Sequence, residues 1–108
     1  MEEYAVIITP DAENDLNALD DYITFELLAP DTAVAYITFI RRELRSLSHM
    51  PKRFKLVDDE PWHSRGVRRM NAKNFAVFYI VLEEYKEIYI QNVIYQKRDI
   101  PKVLSEFH

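Results

Sequence analysis

Cysteine is absent from this 108-residue chain. The sequence therefore has no disulfide framework, no thiolate nucleophile and no cysteine-based zinc site, and a reducing compartment fits this composition. Long apolar runs are also missing, since no segment approaches the roughly 20 apolar residues that span a bilayer. The amino terminus is acidic and has only a short apolar run, unlike a signal peptide. We therefore expect a cytoplasmic protein with no membrane partner.

Lysine and arginine are missing from residues 1–40, which carry nine acidic side chains. Residues 41–108 hold all 14 basic side chains and the other nine acids, so a net charge of −4 divides into −9 and +5. The negative total argues against non-specific adhesion to nucleic acid. The division indicates two faces with different partners, and an acidic solvated helix beside a mildly basic sheet is the plainer alternative.

The size and composition of the chain predict one domain over residues 1–108. A chain of this length is too short to build two cores. Hydrophobic residues make up 48%, including seven Tyr, six Phe and one Trp, which is enough apolar surface to support folding.

Two amphipathic helices are predicted in the first half of the chain. The β-branched run of residues 4–9 indicates a strand, and Thr9-Pro10 then supplies a possible N-cap and a proline suited to a first helical turn. Apolar residues recur at steps of three and four over residues 12–27 and again over residues 33–47, with a break near Pro30. This pattern predicts a helical hairpin.

The second half of the chain predicts strands and a short terminal helix. Residues 75–82 form a nearly continuous apolar run, which is typical of a central strand covered on both faces. Residues 87–95 are predicted to form a second long strand, in which successive side chains point to opposite faces. This places Ile88, Ile90 and Ile94 on one face and Val93 and Tyr95 on the other. The remaining segments are a loop at 51–62 with one short strand at 54–57, a strand at 65–70 and a helix at 100–107.

Connections this short favour an antiparallel sheet with the hairpin on one face. The predicted fold class is therefore α+β, with an N-terminal strand, a helical hairpin packed on a small antiparallel sheet, and a short C-terminal helix.

Four segments in this order resemble the RelE/ParE superfamily, the toxins of bacterial type II toxin–antitoxin modules. They are IITPDAENDLNALDDYI, AYITFIRRELRSLSHMPKRF, GVRRMNAKNFAVFYIV and NVIYQKRDIPKVL. The resemblance spans nearly the whole chain. It implies a small twisted sheet, a growth-arresting activity and a cognate antitoxin protein as partner.

Two activities divide that superfamily. RelE-like members are endoribonucleases that cut messenger RNA, most of them on the ribosome, whereas ParE-like members bind and poison DNA gyrase. A fold alone does not decide between such activities. The target implied is therefore either DNA gyrase or ribosome-bound messenger RNA, and the chain is an enzyme only in the second case.

Cleavage through a 2′-hydroxyl needs a base, an acid and a cation that stabilises the phosphorane, and it requires neither a metal nor a cofactor. By resemblance, the candidate catalytic residues for a nuclease are Arg68, Arg69, Tyr95 and Arg98. The candidate residues for binding the target or the antitoxin are Lys52, Arg53, Arg65 and Lys97.

These candidates also have plainer structural interpretations. Strand alternation places Arg65 and Arg69 on one face and Arg68 on the other, so only one set can face a given cleft. An arginine can instead pair with an acid or cover apolar surface with its stem. Tyr95 at a strand end is more often a half-buried amphipathic side chain than a proton carrier, and Lys97 with Arg98 can simply solubilise that strand end.

Two departures from the RelE-like pattern favour the ParE-like reading. Ala76 stands where many RelE-like members carry a central-strand arginine, and VIYQKRDI resembles the ParE-like ending VLHGRRDL, with Tyr95 in place of the histidine. We predict a gyrase-directed toxin, with a messenger RNA endoribonuclease as the alternative and an inactive antitoxin-binding module as a third possibility. The basic second part predicts an acidic neutralising segment, although a basic segment on the acidic helices remains open.

Overall fold

The computed structural model describes residues 3–72 and 74–106. Its main elements are β1 (Ala5–Ile8), α1 (Pro10–Asp21), α2 (Pro30–Arg45), β2 (Arg68–Asn71), β3 (Phe75–Leu82), β4 (Glu87–Tyr95) and α3 (Ile100–Leu104). A π-helical segment, Tyr22–Glu26, extends α1. The predicted α+β class is confirmed, and the predicted end of the last helix, at Phe107, lies outside the described residues.

The four strands form one sheet in the order β1-β4-β3-β2. Strands β2, β3 and β4 pair antiparallel, as predicted, but β1 pairs with β4 in parallel, so the sheet is mixed. Short turns impose antiparallel pairing only on strands that they connect. Because β1 is separated from β4 by the helices and two further strands, nothing in the connection fixes its direction.

Helix α1 begins as its sequence predicts. The Thr9 hydroxyl accepts a hydrogen bond from the Ala12 amide at 3.3 Å, and Pro10 occupies the first turn. One face of α1 is buried and packs on β4. A salt bridge of 2.6 Å between Arg41 Nη2 and Glu13 Oε1 joins α2 to α1. The predicted hairpin is therefore held by an apolar layer and by this pair.

The core lies between the helices and one face of the sheet. It contains the apolar faces of both helices, alternate residues of β3 and β4, and α3. Its largest fully buried side chains are Tyr36, Tyr79, Leu16, Leu19, Ile23, Ile40, Leu44, Leu47, Ile88, Ile90, Ile100 and Val77.

Strand β4 contains a β-bulge that overturns its predicted alternation. Phe78 pairs with Asn92 while Tyr79 pairs with Ile90, so Gln91 is an extra residue. Beyond the bulge the two faces exchange. Val93 is therefore buried in the core, and Ile94, predicted to lie with Ile88 and Ile90, is 51% exposed on the opposite face.

Strand β3 has the predicted bounds but not the predicted cover on both faces. Val77 and Tyr79 are buried under the helices, whereas Phe78 and Ile80 on the other face are only partly covered. The apolar run gave no sign of this difference because Phe and Ile suit either environment.

The connection before β2 forms less strand than predicted. Residues 54–57 contribute only an isolated bridge, from Leu56 to Arg68. The strand predicted to begin at Arg65 begins at Arg68, because the Arg65 amide bonds to the Pro61 carbonyl at 3.2 Å within a turn.

Candidate binding groove

An open groove of about 720 Å³ lies over the sheet face that the helices leave uncovered. We call it the open-face groove. It is bounded by the loop before β2 and floored by β2, β3 and β4. The lining residues are Lys55, Leu56, Val57, Asp58, Asp59, Trp62, Arg65, Val67, Arg69, Asn71, Phe78, Ile80, Gln91, Asn92 and Ile94.

Three apolar strand side chains contribute to the floor of the groove, beside polar side chains from β2 and β4. Phe78 and Ile80 come from β3, and Ile94 comes from β4 beyond the bulge. Ala76 belongs to the same face, since it pairs with Ile94 on one side and with Asn71 on the other. Ala76 therefore brings a methyl group and no positive charge to this face.

Two arginines lie against aromatic rings of the groove. The Arg69 guanidinium is 5.3 Å from the centre of the Phe78 ring, and its Nε donates to Asn71 Oδ1 at 2.7 Å. The Arg65 guanidinium is 5.4 Å from the Trp62 ring. Such contacts hold a flexible cation in place while its remaining donors stay available to a ligand.

Arg68 lies on the opposite face, as its alternation with Arg69 predicts. Its Nη1 donates to the Phe54 carbonyl at 2.7 Å. In register with Arg68 on β3, the buried Tyr79 hydroxyl donates to the Pro51 carbonyl at 2.6 Å. Burial raises the pKa of Tyr79 to about 12, although the positive charges of Arg68 and Arg53 oppose the shift. Together, Arg68 and Tyr79 hold the chain after α2 against the sheet.

Tyr95 also lies on the helix-facing side, because the bulge puts it in phase with Val93. It is half-buried against the core. Its pKa is raised by burial first and then by the negative charge of Asp15 and by Tyr22. Tyr95 therefore has the half-buried position that its sequence context predicted, and the sheet separates it from Arg69.

The other predicted site residues lie at two places outside the groove. Lys52 Nζ is 3.4 Å from Glu83 Oε1, and the Arg53 guanidinium is 4.8 Å from the Phe54 ring. Lys97 Nζ is 5.1 Å from the Tyr22 ring on the helix-facing side. Arg98 is exposed, and its side chain makes no hydrogen bond or ion pair within residues 3–72 and 74–106. Of the eight predicted residues, the groove brings together Arg65 and Arg69.

Sequence reasoning missed the apolar part of the groove. Phe78 and Ile80 read as core residues, and the alternation of β4 assigned Ile94 to the buried face. Trp62, 49% exposed in a loop, carried a usable signal, since it stands beside a basic segment and tryptophan is favoured in binding sites.

The described part of the chain contains no cluster of side chains suited to binding a metal ion. Residues 3–72 and 74–106 contain no group of three or more His, Cys, Asp or Glu side chains placed to hold a metal ion. Within the same residues, no helix has the length and apolar character needed to cross a membrane.

The fold is shared with solved proteins of toxin–antitoxin systems. A chain of the Mycobacterium tuberculosis RelBE2 toxin–antitoxin complex is 20% identical with a TM-score of 0.67, over 89% of this chain and 94% of that one. A chain of the chromosomal ParDE system from P. aeruginosa is 22% identical with a TM-score of 0.70, over 88% of this chain and 98% of that one. A mutant of the E. coli toxin RelE in the free state is 14% identical with a TM-score of 0.56, over 97% of this chain and 94% of that one. The fold is thus that of the RelE/ParE toxins.

The family follows from the sequence itself. Residues 6–100 match the model of the family described as the ParE toxin of the type II toxin–antitoxin system parDE. The chain belongs to this family, as its sequence resemblance predicted, and is a toxin of a type II toxin–antitoxin system. The search of curated proteins found no significant match to the chain.

Proposed function

We propose that this toxin arrests growth by binding DNA gyrase through the open-face groove, and that a cognate antitoxin neutralises it. The observation that carries the proposal is the division of the predicted nuclease residues between two faces of the sheet. Arg69 lies in the groove, whereas Arg68 and Tyr95 lie on the helix-facing side.

This division leaves the groove poorly equipped for RNA cleavage. A base and a stabilising cation must both lie within about 3 Å of the reacting atoms. Arg69 and Tyr95 cannot meet this requirement together, because the sheet stands between them. A phenol whose pKa is raised also keeps its proton at neutral pH and so makes a poor base. The lining residues include neither Tyr nor His among those that the structure describes.

The composition of the groove suits a protein ligand. Trp62 and Ile94 are each about half exposed, and the same groove is lined by Phe78 and Ile80. Protein interfaces depend on a few anchors of this kind, and tryptophan and arginine are enriched among them. Arg65 and Arg69 add charge at fixed positions. A partner with a carboxylate beside an apolar side chain would satisfy both features.

The same features favour an acidic neutralising segment on the antitoxin. The groove is lined by three cations, Lys55, Arg65 and Arg69, and by two acids, Asp58 and Asp59, and the two arginines are the groups that can bind an external carboxylate through paired hydrogen bonds. Two of the similar structures are toxin–antitoxin systems. An antitoxin segment lying along the groove would block access to gyrase.

The test is expression of the chain in bacteria, followed by parallel measurement of gyrase-linked DNA breaks and of messenger RNA integrity. We expect trapped gyrase on cleaved DNA while transcripts stay intact. Trp62→Ala and Arg69→Ala should each raise the inhibitory concentration about 30-fold, the effect of losing an anchor worth about 2 kcal/mol. Arg45→Ala, an exposed change on α2, is the matched control and should have no effect.

Two results would contradict the proposal. Cuts in ribosome-bound transcripts with unaffected gyrase would establish the endoribonuclease alternative. Normal growth at a confirmed protein level would establish the inactive module, which keeps the fold and the antitoxin surface without a target.

A further inference from the structure

The β-bulge of β4 is held by side chains from the start of α1. Thr9 Oγ1 donates to the Ile90 carbonyl at 2.6 Å, immediately before the extra residue Gln91. The Thr9 amide donates to the same carbonyl at 3.2 Å. Thr9 therefore fixes the strand at the last position where β1 still pairs with β4, which is Ile8 with Ile90.

Beyond that position, Asp15 provides the hydrogen-bond acceptor that a neighbouring strand would otherwise provide. One carboxylate oxygen, Oδ2, accepts from the Val93 amide at 2.9 Å and from Asn92 Nδ2 at 3.2 Å. Strand β1 has ended, so the Val93 amide has no strand partner on that side. A hydrogen bond from an amide to a carboxylate is about twice as strong as one to a neutral acceptor.

The bulge determines which side chains of β4 reach the groove. In a strand, a slip of one residue moves every side chain to the other face. With the bulge, Val93 enters the core and Ile94 joins the groove floor. Without it, Ile94 would continue the face of Ile88 and Ile90, and the groove would lose its apolar anchor from β4.

We propose that Asp15 is a positioning residue of the open-face groove, which acts by locking the β4 bulge from the opposite side of the sheet. Its acidic neighbours on α1 do not share this role. The effect on binding rests on the proposed function of the groove, whereas the locking of the bulge does not. Asp15 thus belongs functionally to the groove although it lies in the acidic helical hairpin.

The absence of cysteine from the sequence allows a direct test. Ile94→Cys and Val93→Cys each introduce a single thiol, whose rate of reaction with a soluble maleimide reports which position is exposed. In the parent chain we expect the thiol at position 94 to react at least about 10-fold faster than that at position 93. Adding Asp15→Ala should reduce this ratio towards one.

Two further variants separate bulge locking from a general loss of structure. Asp15→Asn keeps a carbonyl oxygen that can accept from Val93, so the thiol pattern should be retained, while the Val93 amide should exchange about 5-fold faster as the acceptor loses its charge. Asp21→Ala removes an exposed acid from the same helix and should change neither quantity.

An unchanged labelling ratio in folded Asp15→Ala would overturn the proposal. If that variant does not fold, an unchanged Val93 exchange rate in Asp15→Asn would overturn it instead. Growth arrest provides the functional arm, and Asp15→Ala should raise the inhibitory concentration about as much as Trp62→Ala. Labelling that responds without any gyrase effect in the parent chain would refute the proposed function while supporting the role of Asp15.

Discussion

The buried hydroxyl of Tyr79 makes a specific prediction about alkaline stability. At neutral pH, Tyr79→Phe leaves the Pro51 carbonyl without its donor and should cost about 1–3 kcal/mol of unfolding free energy. The pKa of Tyr79 in the folded protein is about 12, above the value of 10.0 expected for an unfolded chain. A group whose folded pKa is raised stabilises the fold below its unfolded pKa, and this stabilisation is lost as pH rises from 10 to 12.

The magnitude follows from the shift. At pH 11, one unit above the unfolded value, the parent protein should have lost about 1.4 kcal/mol through Tyr79 alone, and Tyr79→Phe should not share this loss. The difference in unfolding free energy between the parent protein and Tyr79→Phe should therefore become smaller from pH 8 to pH 11. Urea unfolding at both pH values measures this difference. In thermal unfolding, each kcal/mol should correspond to a shift in Tm of about 4–8 °C. A gap that stays constant with pH would refute the reasoning.

Three other changes test the structure more simply. Arg68→Ala should cost about 1.5–3 kcal/mol because its charged donor to a carbonyl is lost, whereas Arg69→Ala should cost less than about 1 kcal/mol; equal urea midpoints would contradict the division between faces. A double-mutant cycle at Glu13 and Arg41 should give a coupling of about 0.2–1 kcal/mol that weakens in 1 M salt, and a salt-independent value would exclude a partly exposed ion pair. Leu16→Ala should cost about 2–5 kcal/mol in the same urea assay, and a loss below 1 kcal/mol would be incompatible with a fully buried side chain.

The elements that sequence predicted best are those with a local cause. Helix α1 starts at a side-chain cap and a proline, and β3 has the bounds of its apolar run because turn-forming residues flank it. The direction of β1 was not predictable, since its pairing with β4 depends on residues at the other end of the chain. Local patterns contain no information about such a pairing.

Of the charged side chains in the open-face groove, the sequence analysis named Arg65 and Arg69, and it missed the apolar part of the groove. Alternation correctly separated Arg69 from Arg68, because both lie in one regular strand. It failed for Ile94, because the bulge depends on hydrogen bonds from Asp15 and Thr9, which are distant in sequence. A bulge maintained from another element leaves no periodic trace in the strand that contains it.

The parallel pairing of β1 with β4 has a consequence for synthesis. Ala5 leaves the ribosome long before Glu87, the residue with which it pairs. Contacts so distant in sequence form late, since closing a long loop costs entropy before any pairing compensates for it. The bulge and the groove depend on this closure. The floor of the open-face groove therefore cannot assemble until residues 87–94 have left the ribosome.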